Sequence, residues 1–187
     1  MKKQVIIVGV LVMMAVSFAG AQTPKFGVGF SGGINIPIIQ DDQKSGSIFE
    51  FRARFSALPF LTIEPKLSFS SYGSPDTFED IIWDVDGSKI TAYGVDGILG
   101  GALSGPGFAP FFVAGMGWYK ISNDSYETIQ DSETKFGFSG GMGFAIGITP
   151  KFSIDARAKA HFISWDGGAK KSLALLGGLN YAFGGGI

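Results

Sequence analysis

Residues 135–149 read KFGFSGGMGFAIGIT, a run apolar enough to meet a membrane although five of its residues are glycine. A spanning helix needs about 20 consecutive apolar residues, and each glycine costs roughly 1 kcal/mol against alanine in a helix. The alternative is a period of two. Phe136, Phe138, Met142, Phe144, Ile146 and Ile148 fall on one face of an extended strand. Gly137, Ser139, Gly141, Gly143, Ala145 and Gly147 fall on the other, because successive side chains of a strand point to opposite sides.

The same alternation recurs along the chain. FGVGFSGGIN from Phe26 sets Phe26, Val28, Phe30 and Ile34 against Gly27, Gly29, Ser31, Gly33 and Asn35. IFEFRARFSA sets Phe49, Phe51, Ala53, Phe55 and Ala57 against Glu50, Arg52, Arg54 and Ser56. LTIEPKLSFSS follows with Glu64 and Lys66 on its polar side, and its Pro65 predicts an edge strand or a bulge. KITAYGVDGILGGAL, carrying Asp96, alternates less cleanly, and FFVAGMGWYKI at 111–121 is apolar on both faces, so its facing stays open. FSIDARAKAHFIS sets Phe152, Ile154, Ala156, Ala158, Ala160 and Phe162 against Asp155, Arg157, Lys159 and His161. SLALLGGLNYAF ends the series.

These runs make eight strand candidates near the 9–11 residues expected of tilted membrane strands. LPF, the GPGFAP region and TPK are turn-like, whereas IPIIQDDQKSG, 72–88, 122–134 and WDGGAKK are longer and polar. Short turns at one end and long loops at the other predict an all-β, eight-stranded, antiparallel, up-and-down transmembrane β-barrel. A barrel of eight strands has an interior filled by side chains. Glu50, Arg52, Arg54, Glu64, Lys66, Asp96, Asp155, Arg157, Lys159 and His161 are therefore expected to meet inside as a lumen charge network, since buried charges must be paired. On this reading the glycines of 135–149 leave space for those long side chains.

The first 21 residues differ. MKK, the apolar VIIVGVLVMMAV and the small-residue ending Ala19-Gly20-Ala21 make a cleavable signal peptide, with cleavage before Gln22 and the barrel domain over 22–187. Without Lys2 and Lys3 the remaining 13 basic and 16 acidic residues give a net charge of −3, which argues against nucleic-acid binding. The chain has no cysteine, so disulfides and thiolate metal sites are excluded. Its single histidine excludes a histidine-rich metal site, and no cofactor is expected.

The opening KFGVGFSGGIN, the hairpin GMGFAIGITPKFSIDARAKAHF, the AGAQ signal ending and the closing GGLNYAF together resemble the eight-stranded outer-membrane β-barrel family of the OmpA transmembrane-domain and OmpX kind. The resemblance implies residence in the bacterial outer membrane, contact with its lipid and lipopolysaccharide, and insertion by the barrel assembly machinery. It also implies that Gly178, Tyr181 and Phe183 form the C-terminal assembly signal, although members usually end on the aromatic and here GGGI follows.

Two features invite a sharper function. His161 and Ser164 lie three apart, where a lipid A deacylase of the outer membrane has the pair two apart on one face. The spacing here turns them to opposite faces, and the plainer expectation is a lumen histidine near the outer rim. The acids Asp41, Asp42, Asp76, Glu79, Asp80, Asp84, Asp86, Asp124, Glu127, Asp131, Glu133 and Asp166 crowd the polar loops. They read first as a solvated surface and second as a site for cation bridging to lipopolysaccharide or for a basic partner. DVDG at 84–87 lacks the further ligands of a calcium loop. Trp83, Trp118, Tyr119, Tyr126, Trp165, Tyr72 and Tyr181 near strand ends suit aromatic girdles. The expectation is a monomeric, non-enzymatic barrel with a structural or surface-interaction role. A soluble lipocalin-like barrel binding an apolar ligand, and an outer-membrane lipid A esterase, are the alternatives.

Overall fold

The computed structural model describes residues 26–38, 44–58, 60–73, 88–100, 106–122, 132–165 and 168–183. The signal segment, most loop acids, Trp83, Tyr126, DVDG and the GGGI tail lie outside the described residues, as does the side chain of Trp165.

Eight strands follow one another: β1 (Phe26–Ile38), β2 (Lys44–Leu58), β3 (Leu61–Gly73), β4 (Lys89–Gly100), β5 (Gly107–Ser122), β6 (Ser132–Gly147), β7 (Phe152–Trp165) and β8 (Gly168–Phe183). Each pairs antiparallel with its neighbour in sequence, and β1 pairs with β8 from Phe26↔Phe183 to Ile38↔Lys171, so the sheet closes. Closure leaves no unpaired edge, the one way a sheet can stand in hydrocarbon.

The strands run 12 to 16 residues, longer than alternation alone delimits. Residues 36–38, 44–47 and 168–171 belong to strands and not to loops, and β6 begins at Ser132, so Glu133 sits on a strand. β7 and β8 are separated by residues 166–167 alone. WDGGAKK is thus mostly wall, and the connection expected to be long is short. The reason is that backbone pairing continues past the span that alternating hydrophobicity marks. Lys170 and Lys171 pair with Ile163 and Phe162 although neither side chain belongs in lipid.

Pro65 lies inside the closed sheet, neither on an edge nor at a bulge. It pairs with Val95 on β4, while the β2–β3 register passes from Arg52↔Lys66 directly to Phe55↔Ile63. The interruption falls on the side where a missing N–H donor would fall, and the register resumes unshifted.

The outer wall is apolar. Phe30, Phe51, Phe69, Tyr93, Phe112, Met116, Phe138, Met142, Phe162 and Leu179 are all exposed on it. That wall is the reverse of a lipocalin-like barrel, whose apolar face is inside. β5 resolves its ambiguity by neighbours. Phe108, Phe112, Met116 and Trp118 point outward, and Phe111, Val113, Tyr119 and Ile121 point in.

Candidate functional site: the sealed lumen

β2, β3 and β7 deliver charges to the lumen at every second residue, and β4 adds Asp96. Glu50, Glu64 and Asp96 have no exposed surface, Lys159 has none either, and Arg52, Lys66, Asp155, Arg157 and His161 are buried. Two groups of ion pairs share these side chains. In the first, Arg157 donates to Glu64 at 3.0 Å and to Asp155 at 2.5 Å, and Arg52 reaches Glu50 and Asp155 at 3.4 Å each. Arg54 Nε lies 2.7 Å from Glu64 Oε1. In the second, Lys159 bridges Asp96 at 2.5 Å and Glu50 at 3.2 Å, and Lys66 lies 2.7 Å from Asp96. Glu50 joins the two groups.

Neutral donors and acceptors fill the gaps. Arg52 donates to Ser31 Oγ at 3.2 Å and Asn180 Oδ1 at 3.0 Å, and Ser139 donates to Asp96 at 3.4 Å. Arg157 also stands 5.3 Å over the Phe111 ring, within cation–π range. Space for these heads comes from glycine on other strands. A Cβ at Gly115 would sit 1.9 Å from Asp96 Oδ1, and one at Gly178 would sit 2.3 Å from Asp155 Oδ1.

The glycines of 135–149 do something else. A Cβ at Gly143 would sit 2.7 Å from the Phe111 ring, and one at Gly137 would sit 2.8 Å from the Tyr119 ring. They make room for aromatic rings and for the neighbouring backbone, not for charge. Spacing alone does not show this, because Phe111 and Tyr119 lie on β5, which is apolar on both faces.

Apolar layers flank the charges. Ile98, Phe111, Val113 and Ala145 cluster on one side, and Tyr72, Ile90, Ala92, Tyr119, Ile121 and Ile163 on the other. Tyr72 and Tyr119 are therefore lumen residues, whereas Trp118 and Tyr181 face outward and Trp118 stacks on Tyr93 at 5.7 Å. The correction is a matter of parity, since Tyr119 follows the outward Trp118 directly. His161 does not lie at the rim. It is buried beside the charge network, with Nδ1 3.0 Å from Tyr119 Oη, while Ser164 is exposed on the outer face. Histidine and serine here cannot act on one ester.

Gly178 faces the lumen, and Tyr181 and Phe183 face outward at the short-turn end with ring centroids 5.1 Å apart. At the same end a cavity of about 80 Å³ opens between Arg54, Lys151 and Asn180.

The family model described as outer membrane protein beta-barrel domain matches residues 6–184. Among solved structures, the barrel is similar to Neisserial surface protein A, with a TM-score of 0.68, 17% identity and coverage of 87% of this chain and 100% of that one. It is also similar to a major outer membrane protein from Thermus thermophilus, with a TM-score of 0.56, 14% identity and coverage of 87% and 100%. A third similar structure is Ail, the attachment invasion locus protein of Yersinia pestis, solved in complex with the heparin analogue sucrose octasulfate. Its TM-score is 0.53 at 18% identity, covering 86% of this chain and 97% of that one. No curated protein matches the chain at a significant level.

Proposed function

The chain belongs to the outer membrane protein β-barrel domain family, and from that premise we propose that it acts as a non-enzymatic structural or surface-interaction protein of the outer membrane. The observation that carries this reading is the sealed lumen. Lys159, Glu50, Glu64 and Asp96 cross the interior with no exposed surface at either mouth, so a hydrated solute has no path between them. The lumen stabilises the barrel, and contact with the outside falls to the strand ends and loops.

The acids assigned to those loops, Asp41, Asp42, Asp76, Glu79, Asp80, Asp84, Asp86, Asp124, Glu127, Asp131 and Asp166, favour a divalent-cation bridge to lipopolysaccharide phosphates or a basic partner. A polyanion of the kind bound to Ail would be repelled by them. The chain acts as a monomer, reaches the membrane after cleavage before Gln22, and presents Gly178, Tyr181 and Phe183 to the barrel assembly machinery.

Reconstitution tests the reading in two steps. Purified barrel in planar bilayers should give no stable ohmic conductance, and lipopolysaccharide-coated sensors should retain it in millimolar magnesium and release it in chelator. Porin-like conductance, or retention indifferent to magnesium, would defeat the proposal.

A further inference from the structure

Among the described residues the paired charge network of the lumen sets five cations against four carboxylates. Arg52, Arg54, Lys66, Arg157 and Lys159 face Glu50, Glu64, Asp96 and Asp155. Arg54 is the cation displaced toward a mouth, with 23% of its side chain exposed where the others are sealed. Its contact with Glu64 is one of charge and not an aligned hydrogen bond, because Glu64 Oε1 accepts none. Arg54 is thus paired with Glu64 by charge at the edge of the network, with part of its head open to the mouth.

The cavity beside Arg54 has a basic lining. Its charged lining residues are Arg54 and Lys151, and among the described residues no carboxylate joins them. Ser56, Thr62 and Ser153 add hydroxyls. Asn180 also lines it, and its amide is fixed because Oδ1 accepts from Arg52 Nη2 at 3.0 Å. That leaves the buried Nδ2 of Asn180 as a donor with no acceptor, a costly state for a buried polar atom. About 80 Å³ of room is several times the roughly 10–15 Å³ that one water requires. The Lys151 turn is held independently, by Thr149 Oγ1 accepting from the Lys151 and Phe152 N–H groups at 3.2 and 3.0 Å.

We propose that this short-turn mouth binds a phosphate-type oxyanion, held by Arg54 and Lys151 and accepting a hydrogen bond from Asn180 Nδ2. Two sources present the same chemistry. One is free phosphate. The other is the headgroup of an inner-leaflet phospholipid, which the outward Phe26 and Tyr181 at the cavity rim would bring level with the site.

The test uses isotope-labelled barrel in a nonionic, phosphorus-free detergent, with the Asn180 side-chain amide and Arg54 Nε–H signals followed by NMR. Inorganic phosphate is titrated in one arm and lysophosphatidylglycerol in the other. A saturable shift with phosphate assigns the solute source, and one with the lipid alone assigns the headgroup. Arg54→Gln should weaken the apparent Kd about tenfold, the loss of one charge-assisted hydrogen bond. Lys151→Gln, on an exposed turn and harmless to the lumen, should weaken it about threefold. Lys120→Gln, at the opposite end of the outer wall, should leave it unchanged. The absence of a saturable shift in both arms, or binding unaltered by Lys151→Gln, would overturn the site.

Discussion

Replacing Arg157 with leucine removes the cation on which the first ion-pair group turns. Arg157 lies 2.5 Å from Asp155, 3.0 Å from Glu64 and 3.9 Å from Glu50. Its side chain has no exposed surface. In the wild type Arg52, Arg54 and Arg157 serve Glu50, Glu64 and Asp155. Without Arg157, Glu64 keeps Arg54 at 2.7 Å and Glu50 keeps Lys159 at 3.2 Å, but Asp155 loses its closest partner and is left with Arg52 at 3.4 Å. Removing one member of a buried pair costs about 3–5 kcal/mol, because it strands the other charge. The expected loss is therefore about 3 kcal/mol or more in urea unfolding from detergent, read by the heat-modifiable gel band and by tryptophan fluorescence. Pairing the change with Asp155→Asn removes the carboxylate left with the longest remaining ion-pair contact. The double variant should recover to within about 2 kcal/mol of wild type, as replaced buried pairs often do. A single variant within about 1 kcal/mol of wild type, by the same scale, or a double variant as unstable as the sum of its singles, would refute the idea that the buried pairing of Arg157 holds the lumen.

Adjacent glycines on β8 should part company. Gly178→Leu should abolish folding, since a Cβ there already meets Asp155, whereas Gly177→Leu meets nothing within 4 Å and should change stability by less than about 0.5 kcal/mol; refolding yield on a gel compares them. Met142→Arg places a charge on the lipid face and should cost about 2–4 kcal/mol near the midplane, while a water-facing wall would tolerate it in the same urea titration. Tyr119→Phe deletes the hydroxyl 3.0 Å from His161 Nδ1 and should cost about 1 kcal/mol, measured as a shift in urea midpoint. His161→Ala should leave lipid A acylation unchanged by mass spectrometry, and altered acylation would reinstate the esterase.

The architecture was legible because lipid imposes one rule on every strand, and Phe49, Phe51 and Phe55 obey it with Glu50, Arg52 and Arg54 between them. Where both faces of a strand are apolar the rule gives no sign. Phe111 and Phe112 are chemically alike, and only the pairing of β5 with β4 and β6 sends one ring into the lumen and the other to lipid. The errors about Tyr119 and the β6 glycines follow from that single undecided parity. Strand ends were hidden for a different reason, since pairing beyond the hydrocarbon is a property of the backbone and leaves no hydrophobic signature. The candidate charges could be named from spacing. The division of labour between Arg157 and Lys159 could not, because it depends on which strands stand opposite across the lumen.

That division bears on register. A strand displaced by one residue moves its whole inward set to the outer face. For β2, such a slip would carry Glu50, Arg52 and Arg54 into lipid and strand Glu64 and Asp155 inside. The lipid term alone is about 2–4 kcal/mol for each arginine near the midplane, before any unpaired carboxylate is counted. Slipping β7 would do the same with Arg157 and Lys159. A lumen packed only with leucine and valine would oppose these slips far less, because either face of the strand would then suit either environment. The apolar layers around Phe111 and Tyr119 keep water from the charges, and the charges in turn fix which residues each strand shows to the membrane.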